Sequence, residues 1–443
     1  MSKSPSFKPV TCSSWSNHES LALLIKRFTT HRHLNPKMIT TMRVSSITLK
    51  QITHSHPDQL TSSLRTFRYL RELSLSLILK LAVVEEQIPG INRLPGRILK
   101  KISLELAKQK FLKRLSLSLD LSQAFILPGK KALLFALKRL KNLDYCDLGI
   151  PQSVISIQEL FKALRNKSSK LKRLGIIPIT HNSWVEMNES SLLKLAKLIL
   201  NFRKLKSFQL SFSSKNEMAK VWEKFFKTVK KVTILESFHI EGFLPEKALG
   251  DLANFLRQNL SLKAFCFELA RANQSQSYNS VPFQGYEGLP GLESLIIKLG
   301  NPNLIGQIDA KRLQTLQKEL SKASSLRHLD LEIPPLSDQS EAEEAYNSIS
   351  HILTDRNGSL VNLSLTFCSG TGLDEPKNYL RVFSAMGKNT RLVQLCLSFK
   401  QNLRVTGHLL SSLYEEIGHL EDLRVLRVLI STVVESKSLV DYP

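Results

Sequence analysis

At 443 residues the chain is long enough for two or three compact domains or for one repeat array, since stacked repeats escape the size limit of a single core. A hydrophobic share of 42% with 23% charged residues excludes an intrinsically disordered chain. The formal charge of +24 is unevenly placed: residues 1–250 carry 43 basic and 17 acidic side chains and residues 251–443 carry 19 and 21, so the first half suits an acidic partner.

Residues 1–43 form a basic tail or cap, rich in Ser and Thr, whose best helical stretch, Leu21 to Phe28, is too brief for the amphipathic helix of a transit peptide. No apolar run reaches the roughly 18 to 20 residues that span a bilayer. The nearest, Leu73 to Val84, is short and broken by Lys80. Cys12, Cys146, Cys266, Cys368 and Cys396 are scattered without a C-x-x-C pair, which argues against a disulfide framework or zinc module and for a reducing, intracellular setting, the cytoplasm being the expected one.

From residue 44 onward one pattern, apolar-x-x-apolar-x-apolar, recurs. After a weak copy at Val44-Ile47-Leu49 it appears at Leu70-Leu73-Leu75, Leu112-Leu115-Leu117, Leu140-Leu143-Tyr145, Leu171-Leu174-Ile176, Leu205-Phe208-Leu210 and Leu235-Phe238-Ile240. It continues at Leu262-Phe265-Phe267, Leu292-Leu295-Ile297, Leu326-Leu329-Leu331, Leu360-Leu363-Leu365, Leu392-Leu395-Leu397 and Leu423-Leu426-Val428. From Leu112 the first anchors follow one another at 27 to 34 residues, a spread too narrow for chance, so each copy marks one structural module.

The last two anchors of each copy alternate with polar residues, the period of a strand with one buried face. Helical periodicity follows in most units, at Ala132 to Leu140, Ile157 to Leu164, Ser191 to Leu200, Met218 to Val229, Lys247 to Arg257, Lys311 to Leu320, Glu341 to Leu353, Asn378 to Met386 and His408 to Ile417. Two stretches lack it and read as loop insertions, near 85–97 and 270–291, both punctuated by Pro and Gly.

These triplets and their spacing resemble the leucine-rich-repeat family, in its helix-bearing, ribonuclease-inhibitor-like class, in divergent form. The resemblance implies an α/β fold: a right-handed horseshoe solenoid over 44–443, about 12–13 irregular units, with parallel strands on the concave face and helices on the convex face. The Asn or Cys that the family places three residues after the last anchor is missing from nearly every copy, with Cys368 the exception, so irregular turns are expected.

Catalytic signatures are absent. Gly90 to Arg97 (GINRLPGR) lacks both the spacing and the Lys-Ser/Thr pair of a phosphate loop, and no G-x-S-x-G or H-E-x-x-H occurs. The pairs His31/His33 and His54/His56 have one carboxylate neighbour, Asp58, and read as surface histidines. No enzyme, cofactor or metal is therefore expected, and oligomeric state is not legible.

Two surfaces are candidates for binding. Residues interleaved with the anchors, among them Ser207, Gln209, Ser237, His239, Glu241, His328, Asp330 and Glu332, point into the implied concave groove and suit a protein partner, being mostly small and neutral. Lys220, Lys224, Lys227 and Lys231 are spaced 4, 3 and 4 apart and form a stripe opposite Trp222 and Phe226, joined by Lys194 and Lys197 one unit earlier. This basic convex patch suits nucleic acid or another acidic surface and leaves a ribonucleoprotein-docking role as the alternative.

Overall fold

The computed structural model describes residues 41–48, 61–62, 64–65, 68–79, 94–121, 127–150, 155–167, 169–177, 188–212, 219–242, 244–269, 284–287, 289–298, 310–333, 339–356, 358–368, 376–400 and 407–431. The four histidines at 31, 33, 54 and 56, the stretch 21–28 and most of both loop insertions lie outside them. Contacts divide the chain into two units, Met1–Lys215 and Asn216–Pro443.

In the first unit β1 (Thr41–Thr48), β2 (Glu72–Leu79), β3 (Arg114–Leu121), β4 (Tyr145–Gly149), β5 (Arg173–Ile176) and β6 (Ser207–Ser211) pair in chain order, all parallel. Between them run α1 (Leu94–Leu106), α2 (Leu127–Arg139), α3 (Ile157–Leu164) and α4 (Glu189–Leu200). In the second unit α5 (Ala219–Val229) leads into β7 (Ser237–Gly242), followed by β8 (Ala264–Leu269), β9 (Ser294–Lys298), β10 (His328–Ile333), β11 (Asn362–Cys368), β12 (Gln394–Lys400) and β13 (Val425–Ser431), again parallel and in order. Its other helices are α6 (Glu246–Gln258), α7 (Ala310–Leu320), α8 (Gln339–Asp355), α9 (Pro376–Gly387) and α10 (Gly407–Gly418). The fold is an α/β repeat solenoid.

The triplets build it. From Leu235 to Leu397 every anchor of the second unit is at most 1% exposed, and the residue between the last two anchors of each copy is half-buried, so each strand turns alternate side chains to core and water. Register is fixed just before each strand, where one carbonyl takes two amides of the next unit: Glu293 N and Ser294 N donate to Lys263 O at 2.7 and 2.9 Å. The last triplet differs, with Leu426 42% exposed, because no later strand covers it among the described residues.

Two triplets are displaced from their sequence assignment. In β4, Cys146 and Leu148 pair with Leu115 and Leu117, so the anchors are Leu143-Cys146-Leu148 rather than Leu140-Leu143-Tyr145. Leucines three apart fit either frame; Leu140 is instead buried at the end of α2, and Tyr145 faces outward. In β1, Met42 and Val44 pair with Leu73 and Leu75, which replaces Val44-Ile47-Leu49 by a frame shifted toward the N-terminus.

α1 was not anticipated. Its first turn, Leu-Pro-Gly-Arg, occupies 94–97, where Pro and Gly suggested a loop; proline is tolerated in a first helical turn because that N–H has no intrahelical partner. α2 opens with the same Leu-Pro-Gly, and a Cβ at Gly129 would stand 2.8 Å from the Leu99 Cβ, so glycine permits the two helices to approach. α3 starts with a reciprocal cap, Ser156 N donating to Glu159 Oε2 at 3.0 Å and Glu159 N to Ser156 Oγ at 3.3 Å.

A polar ladder exists, but at the helix ends rather than after the strands. Gln109 Nε2 donates to Leu64 O (2.6 Å), Lys167 Nζ to Lys138 O (3.2 Å), and Asn389 Nδ2 to Leu353 O and Ala385 O (3.1 and 3.0 Å). Arg356 donates likewise to Ala323 O and Leu320 O. Five of these six bonds run to the preceding unit and tie carbonyls at or just past its helix end to the next repeat.

Between β8 and β9 no helix is found among the described residues, and residues 284–287 and 289–291 fill that layer. Tyr286 is fully buried against Phe265, with ring centroids 5.9 Å apart. The buried Glu319 carboxylate accepts from Gly285 N at 3.1 Å and Glu287 N at 2.8 Å. Gly285 has φ +101°, and a Cβ there would meet Ala253 O at 2.7 Å, so glycine is required on both counts.

Candidate binding faces

On the strand face of the first unit, Glu72, Arg114, Tyr145, Arg173 and Ser207 stand side by side on successive strands. Arg114 Nη1 lies 3.2 Å from Glu72 Oε1, and its guanidinium sits 4.6 Å above the Tyr145 ring. Arg173 Nε pairs with Asp147 Oδ1 at 3.1 Å, and its Nη2 donates to Gln209 Oε1 at 2.8 Å. Of the expected groove residues, Ser207 and Gln209 are therefore on this face, half-buried, with Gln209 held by Arg173. Tyr145 and Asp147 also belong to it, in place of Asn142 and Asp144, which the Leu140-Leu143-Tyr145 frame would interleave with its anchors.

The second unit carries Ser237, His239 and Glu241 on β7 and His328 and Asp330 on β10, all half-buried on the strand face. Glu332 departs from the expectation. It is only 4% exposed, and its carboxylate accepts from the Cys368 thiol at 3.3 Å, so it is an internal link between β10 and β11 rather than a contact group.

Between these strands lies a titratable cluster that sequence inspection did not assemble. His239 is the register partner of Cys266, and Glu241 that of Glu268. A nitrogen of His239, Sγ of Cys266 and a carboxylate oxygen of Glu268 all lie within 4.8 Å of one another. The Cys266 thiol donates to Glu268 Oε1 at 3.7 Å; burial, then the nearby Glu268 charge, hold it well above the usual thiol range. Lys298 Nζ stands 3.2 Å from Glu268 Oε1 and 3.7 Å from Asp330 Oδ2. Burial alone would lower the Lys298 ammonium, but these two carboxylates outweigh it and raise it above the ordinary lysine range. Burial holds the His328 imidazole below its ordinary range despite Asp330, leaving it neutral at pH 7. The signal that would have found the cluster was available: superposing the anchors Phe238 and Phe265 puts His239 beside Cys266.

The lysines also emerge where the helical period places them. Lys194 and Lys197 on α4, Lys220, Lys224 and Lys227 on α5, and Lys231 just past its end are exposed, opposite the buried Trp222, Phe225 and Phe226. Lys227 is partly neutralised by Glu223, 2.6 Å away one turn earlier. Lys194 and Lys197 belong to the first unit and the other four to the second.

No helix among the described residues is long and apolar enough to cross a membrane. No protein-family model and no curated protein matches the sequence. Among solved structures, the chain is similar to one in the "Crystal structure of Rad7 and Elc1 complex in yeast", at 14% identity and a TM-score of 0.40, covering 81% of this chain and 86% of that one.

Proposed function

We propose that the chain is a divergent leucine-rich-repeat protein of the ribonuclease-inhibitor-like class, an intracellular, non-catalytic scaffold that holds a protein partner on its strand face. The observation that carries this reading is the division of labour along each strand: anchors supply the core, and half-buried polar residues alternate with them along a hydrogen-bonded backbone ladder. The groups offered are Ser207 and Gln209 in one unit and Ser237, His239, Glu241, His328 and Asp330 in the other. The two carboxylates of the second set, Glu241 and Asp330, face no lysine or arginine within that set, which favours a partner segment bearing Lys or Arg.

Affinity capture with the full chain tests this. Replacing Gln209, His239 and Asp330 together by Ala should abolish partner capture, with nuclease treatment having no effect. A second reading, docking of an RNA or ribonucleoprotein, rests on the exposed lysines of α5. It predicts the converse: loss on changing Lys220, Lys224 and Lys227 to Glu, sensitivity to nuclease, and a steep fall with salt from counterion release.

A further inference from the structure

We propose that His239, Cys266 and Glu268 form a binding site for a divalent transition-metal ion of the zinc type. This goes beyond the scaffold reading and does not depend on it.

Cys266 and Glu268 are two apart on β8, so strand periodicity puts both on one face, and His239 joins them from the adjacent strand by register. The rigid ladder thus sets three different ligand types within 4.8 Å of one another. A tetrahedral ion with ordinary zinc–sulfur and zinc–oxygen bonds spaces those two ligands about 3.5 Å apart. Here Sγ and Oε1 are 3.7 Å apart, so little movement is needed. The donor set of imidazole, thiolate and carboxylate selects zinc-like ions over calcium or magnesium, which take oxygen ligands.

Charge supports the same conclusion. Glu241 stands beside Glu268, and Asp330 lies across Lys298, whose single ammonium serves the carboxylates of Glu268 and Asp330 together. On binding, the Cys266 S–H bond breaks, its proton leaves to solvent, and a sulfur–metal bond forms with no change of oxidation state. Dipositive metal, thiolate and carboxylate then sum to zero, a neutral centre suited to a half-buried place. Lys298 yields Glu268 to the ion and keeps Asp330. All three ligands are half-buried rather than enclosed.

The test titrates the full chain, stripped with a chelator, with Zn²⁺ by calorimetry and with Co²⁺ by absorption. The expected result is one site whose cobalt form shows a thiolate-to-metal charge-transfer band. Cys266→Ser should remove that band while leaving the far-UV circular dichroism unchanged. His239→Ala and Glu268→Gln should each weaken binding by at least about tenfold, the size that even an outer-shell change costs. Lys298→Gln, which removes the competing cation, should bind more tightly than the native chain. A native chain without the band, a band that survives Cys266→Ser, or weaker binding in Lys298→Gln than in the native chain overturns the proposal. Partner capture by the strand face is scored separately, so either idea can fail alone.

Discussion

Lys167 shows how a single residue trades cost for order. It is almost fully buried, its ammonium donates to Lys138 O, and burial lowers it from the ordinary lysine value of 10.5. A lysine whose folded value is depressed binds fewer protons folded than unfolded, so its destabilising effect is full below the folded value and fades as pH rises toward 10.5. Urea midpoints of the native chain and Lys167→Met, compared over an alkaline series, should therefore converge or cross in favour of the native chain as pH rises; a pH-independent difference would contradict this. Asn389 is simpler. Asn389→Ala removes two hydrogen bonds to buried carbonyls and should cost about 1–3 kcal/mol in a denaturation series. At this scale the sequence was partly legible: outward lysines and inward leucines follow from period alone, whereas the meeting of His239 with Cys266 needed the register between units, and the burial of Glu332 needed Cys368 on the next strand.

For elements, the close approach of α1 and α2 gives the sharpest expectation. Gly129→Val forces side-chain atoms into the space held by Leu99, and overpacking of this kind costs about 1–3 kcal/mol. Adding Leu99→Ala should recover part of that loss, so a double-mutant cycle by thermal unfolding should give a coupling well above zero. The periodic helices were readable because each buries one apolar face; Ile157–Leu164 has the bounds that periodicity gave it. α1 was hidden by its Pro-Gly opening, a punctuation signal in loops and a permitted start in helices. The β4 frame was hidden for a different reason: Leu140, Leu143 and Cys146 are all buried, and only pairing with Leu115 decides that Cys146 is the first inward anchor of the strand.

Across the molecule, stacked units predict local rather than global failure. Phe238→Ala removes a ring that packs on Phe255 at 5.1 Å and on Phe265 at 6.1 Å, a loss on the order of 3–5 kcal/mol. Hydrogen exchange should speed up in β7 and β8 and stay near native in β12, since each unit meets chiefly its neighbours. Uniform acceleration from β7 to β13 would instead mean one cooperative block. The repeat period made this architecture legible, because thirteen strands drawn from evenly spaced triplets leave few other ways to bury them. Which surface carries a ligand was not, since faces of helix and strand look alike as composition.

The layer that has Tyr286 where other units have a helix bears on how the chain can vary. Its ends are pinned, upstream by Leu269 pairing with Gly242 and downstream by Glu319 gripping the amides of Gly285 and Glu287. With both points fixed, a reporter peptide inserted between positions 270 and 283 is expected to leave β8 and β9 in register, which hydrogen exchange in the two strands would check.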